Sequence, residues 1–193
     1  MKAYIFLADG FEEVEALTTA DLLIRAGINT LLVKVPGGTE DTAAKCKAVR
    51  GSHNIYVKPD MTLNSDISAS DLLDGDCIIL PGGMPGTKNL AQNKDVIYTI
   101  KNYSSSGKII AAICAAPSIL GSCGLLKGKK ATCFPGFEDK LEGAAVINTG
   151  AVSDGNIVTG KSMGSAVSFG LEIIKVLLGN DASEKTEQSI YRG

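Results

Sequence analysis

The segment IIAAICAAP, residues 109–117, passes from an apolar run through Cys114 into Pro117. A short apolar run followed by proline in a first helical turn predicts a strand that ends at Cys114 and a helix that follows it. A nucleophile at such an elbow needs small residues two positions away on each side, and Ala112 and Ala116 occupy those positions. The positive helix end would lower the thiol pKa, which predicts a thiolate. The alternative is a buried, inert cysteine.

Three carboxylates, Glu12, Glu13 and Glu15, follow the first predicted strand and occupy the start of the first predicted helix. Because the helix dipole favours acidic residues there, a solvated helix face would explain them. Alternatively, Glu15 points inward over the strand ends. A carboxyl group beside a thiolate in a poorly solvated crevice has a raised pKa and can donate a hydrogen bond to sulfur.

The segment PGGMPGTK, residues 81–88, lacks the spacing of a phosphate-binding loop, because Thr87 rather than glycine precedes Lys88. Its paired glycines, Gly82 and Gly83, predict a turn whose N–H groups form an oxyanion hole for a nearby nucleophile. A tight turn that requires positive φ is the other interpretation. The single histidine, His53, lies in a predicted loop, and no pattern brings it to Cys114, so a Cys–His dyad is not predicted.

Strands and helices alternate along the chain, which predicts right-handed βαβ units and an α/β fold. We expect a flavodoxin-like three-layer sandwich, with a mostly parallel sheet and helices on both faces, in a single domain over residues 1–193. Predicted strands cover 3–8, 29–35, 77–80, 108–113, 130–134 and 145–148, and helices cover 12–26, 94–105, 117–123 and 163–178. Ligands bind where such strands end, and three segments leave their strands there: 9–15, 81–86 and 114–117.

Other segments carry weaker signals. The polar stretch 36–54 is predicted to elaborate the sheet edge, with a short strand at 55–57. Asp154-Gly155 indicates a hairpin. The polar tail after Gly179 is predicted to be loosely held.

Composition excludes several classes of protein. With 193 residues, 45% of them hydrophobic, and a net charge of −2, the chain is predicted to form one domain that does not bind nucleic acid. No apolar run reaches the roughly 20 residues of a membrane helix, and the N-terminus turns acidic too early for a leader. We therefore expect a cytoplasmic protein that does not insert into membranes.

Five cysteines, with no C-x-x-C pair and one histidine, argue against a disulfide scaffold and a structural zinc site. Cys46 lies in the irregular stretch, Cys77 in a strand core and Cys123 at a helix end. Cys133 lies near the end of its predicted strand, where exposure is expected. None of these four has the elbow pattern.

Four segments together resemble the ThiJ/PfpI superfamily, also called the DJ-one family. They are DGFEEVEA with LIRAGI, IILPGGMPGTKNL, IAAICAAP and GKSMGSAVSF, and they occur in order along nearly the whole chain. The resemblance implies that Cys114 is the elbow cysteine, Glu15 its protonated partner and Gly83 an oxyanion donor. With these, Gly82 and Ala115 complete the predicted substrate-binding site.

The departures from the family pattern narrow the resemblance. Ala115 stands where the protease-like PfpI branch has histidine, so peptidase activity is not expected. In the Parkinson-disease-protein branch, a histidine occupies the position of Phe134 and an arginine occupies the position of Lys161. These two differences weaken the case for anion binding by this protein at those positions. The nearest resemblance is to the small ThiJ and YajL type, which implies a homodimer with neither metal nor cofactor.

The resemblance implies a glyoxalase III or deglycase-type enzyme that acts on a small carbonyl substrate, a 2-oxoaldehyde such as methylglyoxal or glyoxal. Cys114 would attack the aldehyde, Gly83 would stabilise the oxyanion and Glu15 would move the proton. The alternatives are an oxidative-stress sensor in which Cys114 becomes a sulfinate, and a redox-regulated chaperone. An aromatic content of 5% and the lack of an obvious apolar stripe in the sequence disfavour the chaperone.

Overall fold

The computed structural model describes residues 1–37 and 48–191. Its centre is a seven-stranded sheet in the order β10-β11-β7-β6-β1-β2-β5, in which β10 and β11 pair antiparallel and every other pair is parallel. The strands are β1 (Lys2–Leu7), β2 (Asn29–Lys34), β3 (Val49–Arg50), β4 (Tyr56–Val57), β5 (Met61–Thr62), β6 (Cys77–Leu80), β7 (Ile109–Ile113), β8 (Lys130–Ala131), β9 (Ala145–Val146), β10 (Ala151–Asp154) and β11 (Ile157–Gly160). The helices are α1 (Glu13–Arg25), α2 (Gly86–Gln92), α3 (Lys94–Ser105), α4 (Pro117–Ser122), α5 (Ala166–Leu178) and α6 (Asn180–Ser189), with 3-10 turns at Asp71–Asp74, Glu138–Lys140 and Met163–Ser165.

Each face of the sheet carries its own apolar core. In β1, Tyr4 and Phe6 pack on the side of α3 and α4, whereas Ile5 and Leu7 pack on the side of α1 and α5. This alternation follows from the two-residue repeat of a strand that is buried on both faces. The predicted mixed α/β fold with helices on both faces is confirmed.

The order of the central strands places the reactive segments together. Strands β1, β6 and β7 are parallel neighbours, so the chain leaves all three at the same edge of the sheet. A backbone hydrogen bond from Glu12 N to Gly82 O, at 2.9 Å, ties the loops after β1 and β6 to each other. Cys114 N, after β7, donates to Gly160 O at the end of β11, at 3.0 Å.

Residues 48–54 do not extend the main sheet, so the prediction of a sheet-edge elaboration is wrong for them, and residues 38–47 of the predicted stretch lie outside the described part of the chain. Strands β3 and β4 form a separate antiparallel ribbon, and β5 is the edge strand of the main sheet among the described residues. The buried Glu13 carboxylate of α1 holds the ribbon through hydrogen bonds from the N–H groups of His53 and Ile55. Cys46 lies outside the described residues.

The prediction of a loosely held tail is also wrong. Residues Asn180–Ser189 form α6, which packs against α5 and buries Thr186. Ser183 Oγ donates to Leu171 O at 2.9 Å, so a polar helix is held by a few inward-facing groups.

The hairpin at Asp154-Gly155 is confirmed, because β10 and β11 pair antiparallel on either side of it. The strands predicted at 130–134 and 145–148 are shorter than expected. In the structure, β8 and β9 have two residues each and pair with one another away from the main sheet. Among residues 1–37 and 48–191, no helix is long and apolar enough to cross a membrane.

Candidate active site

The turn at Cys114 has the predicted elbow geometry. Cys114 adopts φ 64°, a left-handed conformation that costs a non-glycine residue about 1–3 kcal/mol. Two backbone hydrogen bonds hold it there: its N–H donates to Gly160 O at 3.0 Å, and its carbonyl accepts from Phe134 N at 2.9 Å. Strand β11 on one side and the loop after β8 on the other therefore hold Cys114 in this strained conformation.

The space around the sulfur explains the small residues in the sequence. Ala112 and Ala116 are fully buried. A Cβ atom on Gly82 would lie 2.6 Å from Cys114 Cβ, 3.1 Å from Cys114 Sγ and 2.8 Å from Glu15 Oε2. Glycine is therefore required where β6 ends, because the cysteine and the glutamate both pack against its backbone.

Glu15 points inward rather than into solvent. Only 1% of it is exposed, whereas its neighbour Val14 is 44% exposed. Glu15 Oε2 accepts a hydrogen bond from Gly82 N at 2.8 Å. Within the described part of the chain, Oε1 is buried and makes no hydrogen bond at normal distance, so only the other carboxyl oxygen is held by the backbone.

Burial raises the pKa of Glu15 to about 7, because an ionised carboxylate loses its hydration there. The hydrogen bonds with Gly82 N–H and with Cys114 oppose this rise, and the nearby Glu12 adds to it. Near neutral pH the site therefore holds Glu15 in both protonation states, as an acid–base group requires.

The thiol does not have the lowered pKa predicted from its position before a helix. Burial raises the pKa of Cys114 to about 12, and the Glu15 carboxylate acts in the same direction through its charge and a hydrogen bond. The backbone N–H groups of Ala115 and Gly83 lower the pKa but do not outweigh these effects. Because α4 has only six residues, its dipole is small. Ionisation of the sulfur therefore depends on whether Glu15 carries the proton.

The two paired glycines have different roles. The Gly82 N–H is already engaged by Glu15, so Gly82 does not supply the predicted oxyanion donor. Gly83 and Ala115 place their N–H groups at the sulfur. Gly83 has φ +88°, and a Cβ there would lie 2.4 Å from Glu12 N, so both its conformation and its space require glycine.

His53 pairs with the α1 carboxylates rather than with Cys114. Its Nδ1 lies 2.9 Å from Glu13 Oε2 and 3.7 Å from Glu12 Oε1. Potential ligand atoms of these three residues lie within 4.8 Å of one another. However, both Glu13 oxygens already accept hydrogen bonds from the ribbon, so the group serves to attach the ribbon to α1.

The other described cysteines lie outside this site. Cys77 is buried in β6 as predicted, and burial raises its pKa strongly. Cys123 is half-buried after α4. The expectation that Cys133 would be exposed is wrong: only 4% of it is accessible, since its side chain packs into the apolar core.

Sequence reasoning missed two contributors, Gly160 and Phe134. Both act on Cys114 through backbone atoms, so their side chains carry no signal of the role. The strand order alone puts the end of β11 beside the end of β7.

A parallel α/β sheet that delivers a strained cysteine to a buried acid defines a class of cysteine-elbow proteins. A model of the DJ-1/PfpI family matches residues 1–176, and the chain belongs to that family. Protein dj-1beta of Drosophila melanogaster is 33% identical over 190 residues, which cover 97% of this chain and 95% of that protein. The crystal structure of Drosophila DJ-1beta superposes with a TM-score of 0.85 at 30% identity, and the match covers 100% of this chain and 98% of that one.

Two further relatives have names that describe an activity. A glutathione-independent glyoxalase of Caenorhabditis elegans is 31% identical over 170 residues, covering 87% of this chain and 83% of that protein. A deglycase of Pyrococcus abyssi is 28% identical over 179 residues, covering 92% and 99%. These names support an enzymatic role within the family.

Proposed function

We propose that this protein is a cofactor-independent enzyme of the glyoxalase or deglycase type that converts 2-oxoaldehydes such as methylglyoxal and glyoxal to 2-hydroxy acids. The observation that carries the proposal is the buried Glu15, whose pKa of about 7 suits it to move protons beside the Cys114 sulfur. The names of the glyoxalase and deglycase relatives support the same chemistry.

In the first step, Glu15 takes the thiol proton as Cys114 Sγ attacks the aldehyde carbon. A C–S bond forms, and the carbonyl electron pair moves to oxygen, where the N–H groups of Gly83 and Ala115 stabilise the charge. Glu15 then returns its proton to this oxygen to give a hemithioacetal. Because burial and Glu15 raise the thiol pKa, the proton leaves the sulfur for Glu15 as the C–S bond forms.

In the second step, Glu15 removes the proton from the former aldehyde carbon and delivers it to the adjacent carbonyl carbon. The hydroxyl proton of the hemithioacetal moves to the neighbouring carbonyl oxygen, so the first carbon is oxidised to a thioester and the second is reduced to an alcohol. No external oxidant or cofactor is needed. Water then attacks the thioester, the C–S bond breaks and the thiol is regenerated. The Glu15 carboxyl packs with the Cys114 side chain around Gly82, which places it close enough to the sulfur to serve this transfer.

The test compares consumption of methylglyoxal and formation of lactate by the natural protein and by Cys114→Ser and Glu15→Gln variants. We expect both variants to lose at least about 100-fold in kcat/KM, which is the usual size of a general acid–base contribution. Cys123→Ser, at a half-buried position outside the site, serves as the control and should retain activity. Equal rates for the natural protein and Cys114→Ser would exclude the proposal.

Oxidation of Cys114 is the second candidate function. The N–H groups of Ala115 and Gly83, together with a protonated Glu15, could hydrogen-bond the oxygens of a sulfinate. Peptide mass spectrometry after mild peroxide treatment tests this candidate. We expect a gain of two oxygens at Cys114 and a smaller gain in Glu15→Gln; two oxygens at another cysteine, with Cys114 unmodified, would refute it.

We also propose that the protein works in the cytoplasm as a homodimer. Contrary to the sequence-based expectation, α1 carries an exposed apolar row of Val14, Leu17 and Ile24, beside a ribbon that exposes Ile55 and Tyr56. Such a surface is typical of an association site. Sedimentation should show a dimer at micromolar concentration, and Leu17→Asp should shift it toward monomer. A monomeric natural protein would contradict this assignment.

A further inference from the structure

Three large apolar side chains remain exposed on segments that touch the reactive cysteine. They are Met84 (54% exposed), Phe134 (45%) and Met163 (51%). Met84 follows Gly83, whose N–H acts on the sulfur, and Phe134 itself donates its N–H to the Cys114 carbonyl. Met163 lies three residues beyond Gly160, which accepts the Cys114 N–H. We call these three residues the apolar rim.

Few charged side chains act on the sulfur itself, although Lys161 and Glu138 line a cavity next to the segment that carries Phe134. Among the groups that shift the Cys114 pKa, Glu15 is the only charged side chain, and it is buried. Lys161, on the segment that leads to Met163, places its Nζ 2.6 Å from Asn148 Oδ1. His53 is paired with Glu13. Because Asn148 is a neutral amide, Lys161 keeps its positive charge, so the rim favours uncharged groups through its own apolar surface and not through a lack of charges nearby.

We propose that the apolar rim selects 2-oxoaldehydes with an uncharged apolar substituent, such as a phenyl ring or a short alkyl chain, over methylglyoxal. This inference rests on the function proposed above and specifies its substrate class. Methionine side chains are flexible and polarizable, so they adapt to varied apolar groups and pack well against aromatic rings. Phe134 adds a flat ring against which a phenyl group can stack.

The chemistry at the two carbonyl carbons is unchanged by the substituent. Phenylglyoxal and water give mandelate by the same internal transfer of hydrogen from the aldehyde carbon to the ketone carbon. The substituent stays outside the sulfur pocket, against the rim. The preference for phenylglyoxal over methylglyoxal then comes from the additional apolar area of the substituent that is removed from water in the transition state.

The first measurement is the ratio of kcat/KM for phenylglyoxal to that for methylglyoxal. We expect a ratio of at least about 10, since one or two extra buried methylene equivalents give roughly this discrimination. Phe134→Ala and Met84→Ala should each lower the ratio about threefold or more, whereas Phe134→Leu should largely retain it. Tyr98→Ala removes a comparably exposed aromatic ring from α3 and should leave the ratio unchanged. A natural protein that prefers methylglyoxal would overturn the proposal, as would a ratio unaffected by either rim variant.

A second measurement does not need turnover. Peptide mass spectrometry follows alkylation of Cys114 by phenacyl bromide, which displaces bromide onto the sulfur, and by the polar iodoacetamide and the charged iodoacetate. Each rate is divided by that of glutathione with the same reagent, which removes intrinsic reactivity. We expect phenacyl bromide to be favoured about tenfold in the natural protein and less in Phe134→Ala.

The two measurements separate the rim from the catalytic proposal. Preference for phenacyl bromide without any 2-oxoaldehyde turnover would support the rim and refute the proposed function. Methylglyoxal turnover with no preference among the alkylating reagents would refute the rim and leave the proposed function in place.

Discussion

The raised pKa of Glu15 predicts a pH dependence of stability that Glu15→Gln should remove. The folded-state pKa lies above the unfolded value, so between the two the folded state holds a proton that the unfolded state has lost. The stabilising contribution of the neutral carboxyl is therefore fully present below the unfolded pKa. It is lost as pH rises through the folded pKa of about 7.

The size of this effect follows from the burial of Glu15. A rise from 4.5 to about 7, at about 1.4 kcal/mol per pH unit, corresponds to about 3 kcal/mol of unfolding free energy. With only 1% of Glu15 exposed, solvent screening does not reduce this figure much. Glutamine cannot ionise, so the Glu15→Gln variant should not lose this unfolding free energy as the pH rises. Other titrating groups are common to both proteins and cancel in the difference between them.

The assay is urea unfolding of both proteins at pH 4.5 and pH 7.5. We expect the natural protein to lose about 3 kcal/mol more than Glu15→Gln over this interval. Glu142→Gln, at an exposed position, controls for loss of one carboxylate and should differ from the natural protein by no more than ~0.5 kcal/mol. A difference below about 1 kcal/mol between the natural protein and Glu15→Gln, or one of opposite sign, would refute the burial argument for Glu15.

Three further predictions concern Gly82 in the site, the pair of His53 and Glu13, and the C-terminal helix. Gly82→Ala places a methyl group 2.6 Å from Cys114 Cβ, so we expect it to lower Tm and abolish turnover while Cys123→Ser does neither. The hydrogen bond from His53 to Glu13 raises the histidine pKa, so its NMR titration should have a midpoint above 6.5 that falls in Glu13→Gln; an unchanged midpoint would show that the pair does not form in solution. Deleting the chain from Asn180 onward should lower Tm, because α6 packs on α5; an unchanged Tm would mean that α6 adds no stability.

Local patterns were sufficient to predict most of the elements and the chemistry of the central turn. Helix α3 and strand β6 begin and end where the sequence predicts, since capping residues, glycines and apolar repeats act over a few residues. The elbow at Cys114 was predictable for a similar reason, because small residues and a following proline are requirements of the turn itself. The sequence pattern did not decide whether Glu15 points inward and pairs with the Cys114 thiol or lies on a solvated helix face.

The tertiary structure decided the properties that depend on neighbours distant in the sequence. Burial and Glu15 affect the Cys114 pKa more than the short helix α4 does. The pKa is therefore raised, whereas the position of Cys114 before a helix predicted a lowered value. The Gly82 N–H is taken by a carboxylate 67 residues away, which the glycine pair alone does not indicate. The sequence by itself determined which residues could react. The tertiary structure was needed to determine their protonation, the N–H groups that donate to them and the apolar rim beside them. Burial and the electrostatic effect of nearby charges are set only when separate strands meet at one edge of the sheet.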